Sequence, residues 1–273
     1  MTDLHVALDG WHPAPVGAEG RLTVWPATAL AALLGRPAEF ADGSPLPPLW
    51  HYLYLLETPA PDSLGEDGHP REGHHLPPIP DRRRMFAGAR VRWHRPLVLG
   101  DVMEKRSEVA SVRVKDGRSG QLAFVTVRTE YRVRGDVAVT EEQDLVYRSQ
   151  PGGAPHAVAA PEAEDSPDAD FAFHVGSAEL FQFSALTYNA HRIHYDLGYA
   201  RNVEGYPGLV VHGPLQAIAL LEPLRRAGRA VAELTYRLDR PAFAGSAFQV
   251  VVDGESLTGG TSIGTPSITG TAR

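Results

Sequence analysis

One short pattern occurs twice in this chain and constrains its fold more than any other feature. Arg95-Pro96 is followed by Gly100-Asp101, and Arg240-Pro241 by Gly245-Ser246, 145 residues further on and about half of the 273-residue chain away. Each copy follows an alternating segment (RVRWH, LTYRLD) and precedes a long stretch with strand character. Alternation puts one set of side chains on each face of a strand. The order of elements around both copies agrees, so the chain reads as one unit built twice: a helix, then an antiparallel meander that wraps it.

The elements follow in order. The segment to about Leu22 looks irregular. Pro26 opens a short helix, PATALAALLG, with Gly35 as its stop signal. A second helix, Pro48 to Thr58, is apolar on most sides and is predicted to be buried. Residues 59–80 are rich in Pro, Gly and His and read as one long loop, whose His69, His74 and His75 receive no assignment. Strand patterns start at Ala89 and continue through 101–114, 121–135 and 136–148, with turns at 116–120 and 134–136. These predictions make 1–150 the first domain, the Pro/Ala/Asp-rich 151–170 a linker, and 171–273 the second domain. The second half predicts a strand near 171–175, a polar cluster, a helix from Pro214 with Gly228 past its end, and three further strand segments. Leu215, Ile218, Ala219, Leu221 and Leu224 spread around that helix, which therefore has to be enclosed. Pro223 is expected to kink or shorten it. A helix wrapped by an antiparallel sheet, twice over, is the layout of an α+β tandem double hot-dog.

Composition removes several functions. A net charge of −7 argues against nucleic acid or an anionic membrane as partner. With no cysteine, disulfides, thiolate metal sites and a cysteine nucleophile are excluded. The first residues, MTDLHVALDGWHPAPVG, show neither a basic nor an apolar leader region, and no run approaches a membrane span; a cytoplasmic protein is expected. Self-association is left open.

The stretch Phe181–Gly213 concentrates the chemistry: Tyr188, Asn189, His191, Arg192, His194, Tyr195, Asp196 and His212 lie between apolar anchors. An imidazole such as His194 can take and return a proton near neutrality; the plain alternative is a core histidine bonded to backbone. His191, three residues earlier, is a second base or substrate contact, or a structural residue. A His-x-x-His pair can also ligate a metal, but no thiolate or suitably spaced carboxylate completes a site, so no metal is expected. Asn189 orients a water or the substrate, or stabilises a turn. Asp196 reads best as the N-cap of the following helical turn. His212 and Gly213 stand at a helix start, where backbone N–H groups can stabilise developing negative charge, or where they simply cap the helix. The cluster Arg82, Arg83, Arg84, Arg90, Arg92 and Arg95 offers forks for phosphate or carboxylate, unless it is a solvated strand face.

FSALTYNAHRIHYDLGYA and GYPGLVVHGPLQA resemble the hydratase motif of MaoC-like enoyl-CoA hydratases and hydroxyacyl-thioester dehydratases. PLPPLWHYLY (45–54), residues 76–101 and EEQDLVYR (141–148) resemble the N-terminal hot-dog of the branch that holds type 2 hydroxyacyl-thioester dehydratases and mesaconyl-C4-CoA or itaconyl-CoA hydratases. The resemblance covers nearly the whole chain and is weakest at the C-terminal tail. It implies reversible addition of water to an α,β-unsaturated acyl-CoA without metal or redox cofactor. The substrate it implies is short and branched or dicarboxylic, such as mesaconyl-CoA or itaconyl-CoA. In that motif an aspartate and a histidine five residues apart handle the water. The matching positions here are Asn189 and His194, with His191 and Arg192 where the motif has asparagine and proline. An asparagine cannot accept a proton, so its work falls on His194, His191, or Asp196 acting through a histidine. The resemblance further implies a thioester at Gly213 and His212 and substrate contacts from Arg192, Tyr195, Arg84 and Arg92. The alternatives are a dehydratase of 3-hydroxyacyl thioesters in fatty acid synthesis, a hot-dog thioesterase, and a non-catalytic acyl-CoA binding module.

Overall fold

The computed structural model describes residues 3–273 apart from 74, 118, 119, 150–158, 160, 161, 163 and 165. Most of the expected linker and the middle of the 116–120 turn, together with His74, lie outside the described residues.

Among the described residues ten strands form one sheet in the order β1-β3-β4-β5-β2-β7-β10-β9-β8-β6. They are β1 Val16–Arg21, β2 Arg82–Trp93, β3 Val102–Gly117, β4 Gly120–Val133, β5 Asp136–Ser149, β6 Phe171–Val175, β7 Glu233–Leu238, β8 Ser246–Asp253, β9 Ser256–Gly260 and β10 Ile268–Ala272. The second five repeat the order of the first five in mirror image, and every pairing between them is antiparallel. The strands that precede the two Arg-Pro signatures, β2 and β7, pair with each other at the centre. Gly88 permits that seam. Its φ is +149, and a Cβ there would lie 2.2 Å from the carbonyl oxygen of Tyr236.

The helices are α1 Leu4–Ala7, α2 Val24–Leu33, α3 Ser177–Leu186, α4 Leu197–Asn202 and α5 Gly213–Arg226. α5 is the buried rod of the second half. Every residue from Leu215 to Leu224 is buried, and the helix packs on β8, β9 and β10. One apolar cluster joins its Leu215, Ile218 and Leu220 to Trp50, Val91, Leu99, Met103 and Tyr131 of the first half, so the core is continuous. Each fully buried leucine contributes roughly 1.5–3 kcal/mol.

Several expectations change. The predicted helix Pro48–Thr58 is only a single 3-10 turn, Trp50–Leu53. Leu49 (φ 68) and Leu55 (φ 53) adopt left-handed backbone on either side and stop it, although Trp50, His51 and Leu53 are buried as expected. α2 starts at Val24, before Pro26. β2 begins at Arg82 because its first residues pair with β5, Arg82 opposite Ser149, without an alternating pattern. β1 was not anticipated: VGAEGR is mostly exposed and is held by its ladder to β3. Pro223 does not shorten α5, which runs on to Arg226; so near the C-terminal end it removes one hydrogen bond, and its carbonyl still accepts from Ala227 N–H at 3.0 Å.

Candidate active site

The polar stretch is placed by how α3 ends. Gly176 N–H donates to Glu179 Oε2 at 2.8 Å and starts the helix. At the other end Tyr188 takes a left-handed conformation (φ 50), while Asn189 N–H reaches back to Ser184 O at 2.9 Å and Tyr188 N–H to Ala185 O at 3.4 Å. This closure is usually made with glycine, and a tyrosine there stores some strain. It turns the chain sharply, so that Asn189 begins a new segment. Asn189 Oδ1 then accepts from His191 N–H at 3.0 Å. The turn-stabilising alternative is thus present in the molecule, and the amide NH2 of Asn189 remains to donate to another partner.

A 3-10 turn, Arg192–His194, follows. His194 is 7% exposed, and its Nδ1 lies 2.7 Å from Val210 O. A carbonyl can only accept, so Nδ1 carries the proton and the Nε2 lone pair is free. Burial pushes the His194 imidazole down to about 4, against the opposing pull of the Val210 hydrogen bond. Its ring stacks on that of His212 at 3.7 Å and 19° and meets His191 edge-on at 5.3 Å. His212 is the N-cap residue of α5; its Nε2 lies 2.9 Å from Ser184 Oγ, and burial holds it well below the usual histidine range. The base therefore sits against the start of the buried helix. Among the described residues none accepts from the Gly213 N–H. A Cβ on Gly213 would come within 2.6 Å of Leu238 Cδ1 and 3.0 Å of Phe86 Cδ1, so a side chain there would have to displace these two.

A cavity of about 680 Å³ opens beside this cluster; His191, His194, His212 and Gly213 stand next to its lining residues and are not themselves in its wall. Its wall includes Asn189, Ala190 and Tyr195 from the motif, Ser184 and Pro214 beside His212, and Tyr52, Gln143 and Arg84 from the first half. The floor is fixed by Glu141, a buried carboxylate. It accepts from Tyr52 OH, from Gln143 Nε2 at 3.0 Å and from Tyr131 OH at 3.3 Å. That network was invisible in the sequence, since EEQDL shows only that acidic residues sit on a strand.

The arginines divide clearly. Arg82 donates to Pro77 O and Arg71 O, Arg83 pairs with Glu204, Arg90 with Asp144 and Glu142, and Arg95 with Val133 O. Arg92 pairs with Glu233 at 2.5 Å on an exposed face and is not in the cavity wall, which removes the basis for expecting it at the substrate. Arg192 is likewise occupied: it bonds Asp196 at 2.7 Å and lies over the Tyr199 ring at 4.1 Å. Asp196 caps α4, accepting from Tyr199 N–H at 2.9 Å. Tyr195 stays in the wall, its hydroxyl donating to Ala190 O at 3.1 Å. Arg84 is the one member of the cluster that lines the cavity and, among the described residues, pairs with no carboxylate.

The long loop contributes what sequence reasoning left unassigned. His69 lines the cavity and lies on the ring of His191, with centroids 3.9 Å apart. Its Nδ1 lies 3.0 Å from Asp67 Oδ2. Asp67 thus brings a carboxylate to His191 that spacing alone did not reveal, and Asp67, His69 and His191 each place one ligand atom within 4.8 Å of the others. The signal was the Asp-Gly-His-Pro run, whose Gly68 (φ +85) has no room for a side chain: a Cβ would fall 1.8 Å from Ala190 O.

The model of the family described as hydroxyacyl-thioester dehydratase type 2 matches residues 49–244. A relative from Chloroflexus aurantiacus named mesaconyl-C(4)-CoA hydratase is 45% identical over 237 residues, covering 82% of this chain and 81% of its own. The solved structure of HtdX from Mycobacterium tuberculosis superposes with a TM-score of 0.67 at 19% identity, over 95% of this chain and 99% of that one. Another M. tuberculosis structure, described as having a double hotdog fold, gives a TM-score of 0.56 at 15% identity, over 97% and 96%. With its mirrored five-strand units and its hydratase motif at the start of α5, the chain belongs to the hydroxyacyl-thioester dehydratase type 2 family, and is a double hot-dog hydro-lyase of acyl thioesters.

Proposed function

We propose that the chain adds water reversibly to a short branched or dicarboxylic α,β-unsaturated acyl-CoA of the mesaconyl-C4-CoA kind. The observation that carries this is the fixed tautomer of His194: Nδ1–H is held by Val210 O, and Nε2 is an unprotonated base at neutral pH. In this reading His194 takes a proton from water, which attacks the β-carbon. The amide NH2 of Asn189 holds the water, with His191 beside it. Charge moves onto the thioester oxygen, where the Gly213 N–H at the positive end of α5 receives it. His212 stacks on His194 and fixes its plane. Tyr195 and Arg84 contact the substrate; the exposed guanidinium of Arg84 suits a free acyl carboxylate or a CoA phosphate. Neither a metal nor a redox cofactor is required by these steps. The relative's name supports the substrate class.

A panel of enoyl-CoAs, dicarboxylic and simple, followed by mass spectrometry tests the proposal. The expected result is a product heavier by one water, formed fastest from a dicarboxylic substrate. Released free thiol with the double bond intact would favour a thioesterase, and tight binding with no loss of enoyl absorbance would leave only a binding module.

A further inference from the structure

The register of β2 and β5 orders the charges along the cavity. Arg84 lies opposite Tyr147, Phe86 opposite Leu145, and Val91 opposite Glu141. Tyr147, Leu145, Gln143 and Glu141 alternate onto one side of β5. Gly213 stands against the ring of Phe86. From that point Arg84 is about 7 Å along the sheet in one direction and Glu141 about 14 Å in the other. Arg84 is exposed and Glu141 is buried, so a thioester held at Gly213 has a basic mouth on one side and a closed floor on the other. The CoA part is far larger than the acyl part and has to leave by the mouth, which sends the acyl tail towards the floor.

Glu141 is not itself in the cavity wall, but two side chains bonded to it, Tyr52 and Gln143, are. Tyr52 OH and Gln143 Nε2 both donate to Glu141 Oε1, and Tyr131 OH donates to Oε2. Three donors converging on one carboxyl group suit its ionised form. Burial opposes that charge, yet His51, Tyr52 and Gln143 hold the carboxyl below the ordinary glutamate range. Among the described residues no arginine or lysine pairs with it; His51 Nε2 lies 3.6 Å from Oε2. Tyr52 has already given its proton to Glu141 and has none to offer a ligand.

We propose that Glu141 is a specificity-determining residue of this site. It makes the floor reject a carboxylate, so the acyl tail accepted there is uncharged, and a free carboxylate is tolerated only on a branch at the β-carbon that turns back to Arg84. The proposal rests on the hydratase reading above and narrows its substrate class. A negative charge one side chain behind a half-enclosed wall is poorly screened. A second carboxylate brought to that wall would lose its water and meet like charge, whereas an alkyl tail gains by burial. Selection of this kind works by repelling the wrong ligand.

Hexanoyl-CoA and adipoyl-CoA test this. Both are saturated and cannot be hydrated; their acyl chains have the same length and differ only in a terminal carboxylate. Their inhibition constants are measured against the best substrate of the enoyl-CoA panel at pH 8, where an ordinary imidazole is neutral, for wild type, Glu141→Gln and Gln143→Lys. Wild type is expected to bind adipoyl-CoA at least ~10-fold more weakly than hexanoyl-CoA. Glu141→Gln removes the charge at nearly constant shape and should bring the two within about 2-fold of each other. Gln143→Lys leaves Glu141 and its tyrosines in place, sets an ammonium beside the carboxylate, and should reverse the preference; it decides the matter alone if Glu141→Gln does not fold. Each ratio is taken within one protein, so a merely structural role for Glu141 would weaken both inhibitors alike and leave the ratio unmoved. Failure of hexanoyl-CoA to inhibit, equal inhibition by the two in wild type, or a ratio that the substitutions do not move would overturn this proposal and leave the hydratase reading standing. Wild type that hydrates no enoyl thioester would overturn both.

Discussion

Acidification should unfold this protein through its active site, and His194 allows the effect to be sized. Its imidazole has an ordinary value of 6.5 and is held at about 4 by burial. Between those values the unfolded chain binds a proton that the native state refuses, so stability falls as pH falls through this window. From pH 7 to pH 5 the His194 site alone removes about 2 kcal/mol, a large part of an ordinary folding free energy. His191 and His212 are displaced in the same direction and deepen the loss. The assay is urea unfolding followed by tryptophan fluorescence at pH 7, 6 and 5, for wild type and His194→Gln. Glutamine can still donate to Val210 O but has no proton to gain. The variant should therefore lose less stability than wild type over the same range, by about 2 kcal/mol. Parallel pH dependences would refute the argument and show that His194 is not a desolvated neutral imidazole in solution.

Two further perturbations address the surroundings of the base. Gly68→Ala would force its Cβ against the Ala190 carbonyl in a backbone conformation that disfavours side chains, and should both cost turnover at least ~10-fold and lower the unfolding midpoint; steady-state kinetics beside a thermal melt check this. Arg84→Ala should raise KM about 10-fold for a dicarboxylic enoyl-CoA and by much less for a monocarboxylic one of the same length; equal effects on both would instead place Arg84 at the CoA phosphates.

Much of this was legible because local chemistry and tertiary role coincide. α5 could be read from Gly213-Pro214 and from apolar residues on every side, which require enclosure. The long strands β3, β4 and β5 could be read from alternation and turns. The Arg-Pro/Gly repeat pointed to two copies of one unit, and their central strands lie side by side. Three features resisted. WHYLYLL is apolar enough for a helix, but left-handed leucines at 49 and 55 break it, and no local signal foretells them. VGAEGR is a strand by ladder alone. The arginines of β2 look alike in sequence, yet ion pairing removes Arg92 and leaves Arg84, because partners such as Glu233 come from distant strands. The Asp67–His69 pair stands beside His191 for the same reason: more than a hundred residues of chain separate them, and only the docked loop brings them together.

Everything proposed about the chemistry depends on His194 acting as the base. The most direct measurement is the single-turnover rate of His194→Ala on a hydrated substrate of the panel, with circular dichroism and thioester binding measured on the same sample. A loss of at least ~100-fold, with fold and binding preserved, is the predicted result. Turnover close to that of wild type would contradict the account.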